Sequence, residues 1–129
     1  MQVLFVEDDA MNRRVVRDML SVAGANMSEA VTAAAGLAMI SEGDYNFVLM
    51  DLRMPGMDGL TAIRHIRARD DGKSELPIIV VTADTGAKLL EECVAHGADD
   101  VLFKPVAMQD LFDAMGRILA KQADGSTMI

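Results

Sequence analysis

The sequence has no tryptophan, one tyrosine and one cysteine. A core cannot be organised around aromatic rings at that level. Eleven methionines and many alanines supply the volume instead, which favours adaptable aliphatic packing. The lone Cys93 has no partner for an internal disulfide and lies in a helical pattern, so it reads as a reduced, buried thiol. Basic residues are also scarce, 12 Lys and Arg against 20 Asp and Glu, for a formal net charge of −8. Phosphate repulsion then disfavours direct DNA binding, while a metal cation or a basic partner surface is compatible. No Cys/His cluster is present, which argues against zinc, and His65 and His96 have no acids at ligand spacing. No apolar run reaches the length of a membrane span, and no leader pattern precedes the first strand. The expectation is a cytoplasmic protein with no membrane contact.

What is present in quantity is apolar sequence, 51% of 129 residues, enough for one domain around one core. It falls into runs. Gln2–Val6 reads as a strand, followed by Glu7, Asp8 and Asp9, and Asp9 can cap a helix from about Ala10 to Ala23. On that helix Met11, Val15 and Met19 share one face, which Val16, Leu20 and Ala23 widen; Gly24 ends it. Asn26–Val31 is a second strand, and residues 32–42 an Ala-rich helix stopped by Gly43. Phe47–Met50 is a short apolar run of the kind that makes a fully buried strand, and it stops at a carboxylate, Asp51. Pro55-Gly56 then signals a turn, and Gly59–Arg69 a helix with Leu60, Ile63 and Ile66 inside. Pro77–Val81 is a β-branched strand ending at Thr82, Thr85–Ala95 a helix closed by Gly97, and Asp100–Phe103 a strand ending at Lys104-Pro105. The last helix spans about Ala107–Ala123. The organisation is a domain over residues 1–122 and a flexible tail over 123–129.

Strict alternation of strand and helix predicts an α/β fold, a doubly wound five-stranded parallel sheet with helices on both faces. The common order is 2-1-3-4-5, with its switch point between strands one and three. Four of the five strands then deliver polar groups to one edge: Glu7 and Asp8, Asp51, Thr82, and Lys104. Each alone has an ordinary reading as a solvated acid, a turn residue or a surface charge. Together they form a site. Three carboxylates repel one another, and all-oxygen ligands suit a hard cation, Mg²⁺, with Mn²⁺ able to substitute. A metal and a lysine beside an aspartate suit phosphoryl chemistry, with Asp51 as nucleophile and Lys104 and Thr82 binding phosphoryl oxygens.

At these residues the chain resembles the receiver domain of two-component response regulators, from about Val3 to Leu119. The matching segments are Val6-Glu7-Asp8-Asp9, residues Met50 to Gly59, Val81-Thr82-Ala83 and Phe103-Lys104-Pro105. Any one is common; all four, in order and at strand ends, are specific. The resemblance implies a flavodoxin-like three-layer sandwich. It implies Asp51 as phosphoacceptor, and Glu7, Asp8, Asp51 and the Arg53 backbone carbonyl around Mg²⁺, Asp8 being the direct ligand of the acidic pair. It implies Thr82 as switch hydroxyl, Lys104 as phosphate-binding lysine, and a cis Lys104–Pro105 bond. Two departures bear on switching. Val101 stands where many receivers have an aromatic three residues before the lysine, and Val106 where Phe is frequent. The positions expected to switch or modulate are Arg53, Thr82, Ala83, Asp84 and Val101. Arg53 and Asp84, each two beyond a site residue, are expected to meet across the mouth of the site and limit access of hydrolytic water.

The function expected is a phosphoacceptor signalling domain, catalysing only its own phosphorylation and dephosphorylation. Its donor would be a histidine kinase or histidine phosphotransfer protein, and its reader a downstream protein or attached domain. Arg13, Arg14 and Arg17 on helix one are expected to form a donor docking surface, and helix four, strand five and helix five an output or homodimer face. An aspartate-nucleophile phosphatase would carry its nucleophile in an Asp-x-Asp on strand one, where this chain has Glu7-Asp8. A flavodoxin-type cofactor module would need a phosphate loop where the acids stand. A degenerate receiver, which only binds partners, would lack part of the acid, threonine and lysine set.

Overall fold

The computed structural model describes the backbone of residues 1–127 and side chains to residue 122. Apolar runs become strands: β1 (Gln2–Val6), β3 (Phe47–Asp51) and β4 (Ile78–Thr82), the last two buried at every position. With β2 (Asn26–Ala30) and β5 (Asp100–Phe103) they form a parallel sheet in the order β2-β1-β3-β4-β5, as expected. Strands hidden on both faces need helices on both sides. α1 (Ala10–Val22) and α5 (Met108–Thr127) cover one face; α2 (Ala33–Glu42), α3 (Gly59–Arg67) and α4 (Leu89–His96) cover the other.

Side-chain alternation sorts the core into two layers. Val3, Phe5, Phe47, Leu49, Ile79, Val81 and Leu102 pack with Val16, Leu20, Leu111, Ala114 and Met115. Leu4, Val6, Val48, Met50, Ile78, Val80 and Val101 pack with Ile40, Ile63, Ile66 and Cys93 on the opposite side. Each methylene hidden in these layers is worth roughly 0.8 kcal/mol. In-register pairing of Val6 with Met50, Asp51 with Val81 and Thr82 with Phe103 brings the strand ends to one edge.

Three expectations are corrected. On α1 the buried residues are Val16 and Leu20, while Met11 is 70% exposed and Val15 41%. Two apolar stripes overlap there: Val16 and Leu20 are buried, Met19 packs partly against the same layer, and Met11 and Val15 stay outside. α4 starts at Leu89, four residues later than Thr85, and its N-cap Lys88 makes no side-chain capping bond. Thr85 and Gly86 look like a helix start, but residues 83–88 remain non-helical. α5 continues through Thr127, past its expected end at about Ala123. The rest of the expected tail, residues 128–129, lies outside the described residues.

Two close approaches shape the edges. Gly59, the first residue of α3, sits against the strand that carries Asp51. A Cβ there would meet the Asp51 carbonyl oxygen and come within 2.9 Å of Leu52 Cα, both backbone atoms. Gly59→Ala is expected to lower stability by about 2 kcal/mol through overpacking, read from the denaturant midpoint. At the opposite edge Arg67 gathers loops. Its guanidinium donates to the carbonyls of Gly97 (2.9 Å), Ser74 (2.8 Å) and Leu76 (2.7 Å) and to Asp99 Oδ2 (3.1 Å). Asp99 Oδ2 also accepts from the Ile78 N–H at 2.8 Å.

Candidate functional site

β1 ends where its apolar run meets Glu7, whose N–H donates to Ala30 O at 2.9 Å. Asp9 then caps α1, accepting from the N–H groups of Met11 (2.8 Å) and Asn12 (3.1 Å). This leaves Asp8 exposed at the rim between a fixed strand end and a fixed helix start. Asp51 closes β3 and Thr82 closes β4. Beyond β5 the Lys104–Pro105 bond is cis, as expected, and the Lys104 N–H donates to Thr82 O at 2.8 Å.

The topology therefore unites the predicted residues. One carboxylate oxygen from each of Glu7, Asp8 and Asp51 lies within 4.8 Å of the others. Glu7 is fully buried, Asp51 is 4% exposed and Thr82 1%. Lys104 Nζ lies 2.6 Å from Glu7 Oε1 and 3.5 Å from Asp51 Oδ1. Burial, then the adjacent Asp51 carboxylate, pushes the Glu7 carboxyl up to about 7 against the opposing pull of Lys104. Burial disfavours the Lys104 ammonium, but Glu7 and Asp51 together outweigh it, so its pKa is raised and it stays charged.

The acidic cluster fits a hard cation. Its donors are all oxygen, and Glu7 Oε2 is buried with no hydrogen-bond partner. An orphaned buried carboxylate oxygen is costly unless a cation or its water completes it.

At the mouth, Arg53 and Asp84 meet as expected. Arg53 Nε donates to Asp84 Oδ1 at 2.7 Å and Oδ2 at 2.8 Å, with the Arg53 side chain 80% exposed. Such a pair adds little to stability. It is anchored to the site on both sides: the Arg53 N–H lies 3.4 Å from Asp51 Oδ1, and the Asp84 N–H donates to Thr82 Oγ1 at 3.1 Å. Ala83 is exposed between them. Val101 is buried in the core layer, while Phe103 is 48% exposed at the strand end.

The arginines of α1 differ in their contacts. Arg13 is an internal brace, donating to Glu7 O at 2.9 Å and to Glu29 Oε1 at 3.2 Å. Arg17 pairs with Glu29 Oε2 at 2.6 Å, and Arg14 is exposed. Asn12 was not legible as a site residue, yet its Nδ2 donates to Glu7 Oε1 at 2.8 Å. The available signal was its place in the first turn after a strand-end acid, where its amide can reach back.

Comparison with known proteins bears on the same residues. The family model described as response regulator receiver domain matches residues 3–116, which include every strand-end group above. The chain belongs to this family. The receiver domain is 31% identical to chemotaxis protein CheY-3 of Vibrio cholerae, over 94% of this chain and 93% of the relative. It is 32% identical to aerobic respiration control sensor protein ArcB of Escherichia coli, over 100% of this chain but only 16% of that protein. A putative response regulator from Chloroflexus aurantiacus superposes with a TM-score of 0.86 at 28% identity, covering 92% of this receiver domain and 97% of that chain. Receiver domains thus match it both as nearly whole proteins and as small parts of sensor kinases. Among the described residues, no helix is long and apolar enough to cross a membrane.

Proposed function

We propose that this receiver domain is a phosphoacceptor switch. Asp51 takes a phosphoryl group from a phosphohistidine on a histidine kinase or histidine phosphotransfer protein, with Mg²⁺ or Mn²⁺ as cofactor. A downstream protein or attached domain in the cytoplasm reads the result. The observation that carries this reading is a buried Asp51 beside Lys104 and an acidic pair with one unpartnered oxygen.

An Asp51 oxygen attacks phosphorus in line, the new O–P bond forms, and the P–N bond to the donor imidazole breaks with its electron pair leaving on nitrogen. Lys104, held charged by Glu7, is placed to bind a phosphoryl oxygen on Asp51. Thr82 Oγ1 accepts from the Asp84 N–H, which leaves its own proton to donate to another phosphoryl oxygen. Asp8, Glu7 and Asp51, with the Arg53 carbonyl, would hold the cation, and the cation when bound supplies positive charge that offsets repulsion among the clustered anions. The domain is a phosphoacceptor that catalyses only its own phosphorylation and hydrolysis. The exposed Leu90, Val94 and Phe103 favour the α4, β5 and α5 face for output or homodimer contact.

Incubation with a small phosphodonor and Mg²⁺ is expected to add one phosphoryl mass to the intact protein, and EDTA to prevent it. No adduct and no beryllofluoride binding under any condition would sink the reading. The Arg53–Asp84 pair is assigned to restricting water at the phosphorylated aspartate. Arg53→Ala and Asp84→Ala are each expected to speed dephosphorylation several-fold, measured as loss of the adduct with time; unchanged rates in both remove that role.

A further inference from the structure

The buried carboxylate of Glu7 is gripped asymmetrically. Oε1 receives two hydrogen bonds, from Lys104 Nζ at 2.6 Å and from Asn12 Nδ2 at 2.8 Å. Oε2 receives none. A carboxylate held by Lys104 alone could turn about its last bond, offering both oxygens to the ammonium or drawing it from Asp51, which lies 0.9 Å further away at 3.5 Å. The second donor on Oε1 opposes that turn. It fills the remaining site of one oxygen and leaves the other unsatisfied.

We propose that Asn12 is a positioning residue for the metal site: its amide sorts the two oxygens of Glu7, committing Oε1 to Lys104 and reserving Oε2 for the cation or its bound water. This rests on the metal-dependent reading above.

The chemistry of the side chain fits the task. The amide donates without bringing a positive charge, so it fixes the carboxylate without competing with a cation as Lys or Arg would. It is also held in place. Asn12 is in the first turn of α1, its own N–H donates to Asp9 Oδ1 at 3.1 Å, and the neighbouring Arg13 grips the Glu7 main-chain carbonyl at 2.9 Å. One helical turn therefore holds both the backbone and the carboxylate of Glu7. Partners that orient a metal ligand are worth about tenfold or more in metal affinity.

The test uses Asn12→Leu, similar in size but without a donor, and Asn12→Ala, with Mn²⁺ binding followed by electron paramagnetic resonance. Both variants are expected to keep the far-ultraviolet circular dichroism of the parent and to bind Mn²⁺ about tenfold more weakly. A second readout separates positioning from general damage. The Mg²⁺ concentration giving half-maximal phosphorylation by a small phosphodonor is expected to rise by the same factor, while the rate at saturating Mg²⁺ stays within about twofold. Parent-like Mn²⁺ affinity in Asn12→Leu overturns the inference but leaves the metal-dependent reading intact. A lower saturating rate with unchanged half-saturation also overturns it. Failure of the parent to bind Mn²⁺ overturns the metal-dependent reading and the inference with it.

Discussion

Asp51→Asn is expected to abolish the phosphoryl adduct completely. The amide has the shape of the carboxylate but lacks the anionic oxygen proposed to attack phosphorus, and neither Glu7 nor Asp8 is placed to replace it. Glu7 is fully buried with Oε1 held by two donors, and Asp8 is exposed at the rim. The same substitution removes one of three repelling carboxylates. After burial, the neighbouring Asp51 carboxylate is the main cause of the raised Glu7 carboxyl. The metal-free variant should therefore be more stable than the parent at pH 8, by about 1 kcal/mol, while gaining less from added Mg²⁺. Intact mass and denaturant melts with and without EDTA read the two effects. An adduct of normal yield in Asp51→Asn would move the phosphoacceptor elsewhere.

Lys104→Met should have the next largest effect, and it should depend on pH. In the folded protein the Glu7 carboxyl lies at about 7, above its ordinary 4.5. A raised acid costs stability when it is ionised in the fold. The cost is absent below about pH 4.5, grows through the interval and is complete above about 7, where it reaches about 3 kcal/mol in metal-free protein. Lys104 opposes this shift, so its loss moves Glu7 higher still. The penalty of Lys104→Met is then expected to be about 3 kcal/mol at pH 8 and much smaller at pH 5, where a protonated Glu7 no longer needs the ammonium. Denaturant titrations at the two pH values, in EDTA, provide the measurement; a penalty independent of pH would show that Glu7 is not the group served. Phosphorylation at saturating Mg²⁺ should also slow by about a hundredfold, the scale of removing one preorganised charge-stabilising donor.

The layout of the site was legible because its signals are local and repeated. Phe47–Met50 is a short apolar run of the kind that makes a buried strand, and an acid closing it calls for compensation at an edge where β1, β4 and β5 also end in polar groups. Alternation gives a parallel sheet with helices on both faces, and its order is that of the common five-stranded arrangement. Less legible was whatever depended on competition between equivalent patterns. Met11 and Val15 repeat at helical spacing as well as Val16 and Leu20 do, and only docking on the sheet selects between them. The expected start of α4 at Thr85 falls within the non-helical segment 83–88. The reach of Asn12 to Glu7 joins a helix turn to a strand end, and no periodicity encodes such a contact. The pairing of Arg13 with Glu29 likewise joins a helix to a strand distant in sequence.

The grip of Arg67 at the far edge of the sheet has a mechanical consequence. Gly97, at the C-terminal end of α4, is tied through its carbonyl and crowded besides, since a Cβ there would sit 2.7 Å from Arg67 Cγ. The N-terminal end of α4, at Leu89, has no side-chain cap and follows the segment that leaves Thr82. Eight residues of helix make a rod about 12 Å long. The end held through Gly97 is the more firmly tied of the two. A displacement of the segment after Thr82 is therefore expected to turn α4 about Gly97, with amide hydrogen exchange falling from Leu89 toward His96; uniform exchange along α4 would count against it.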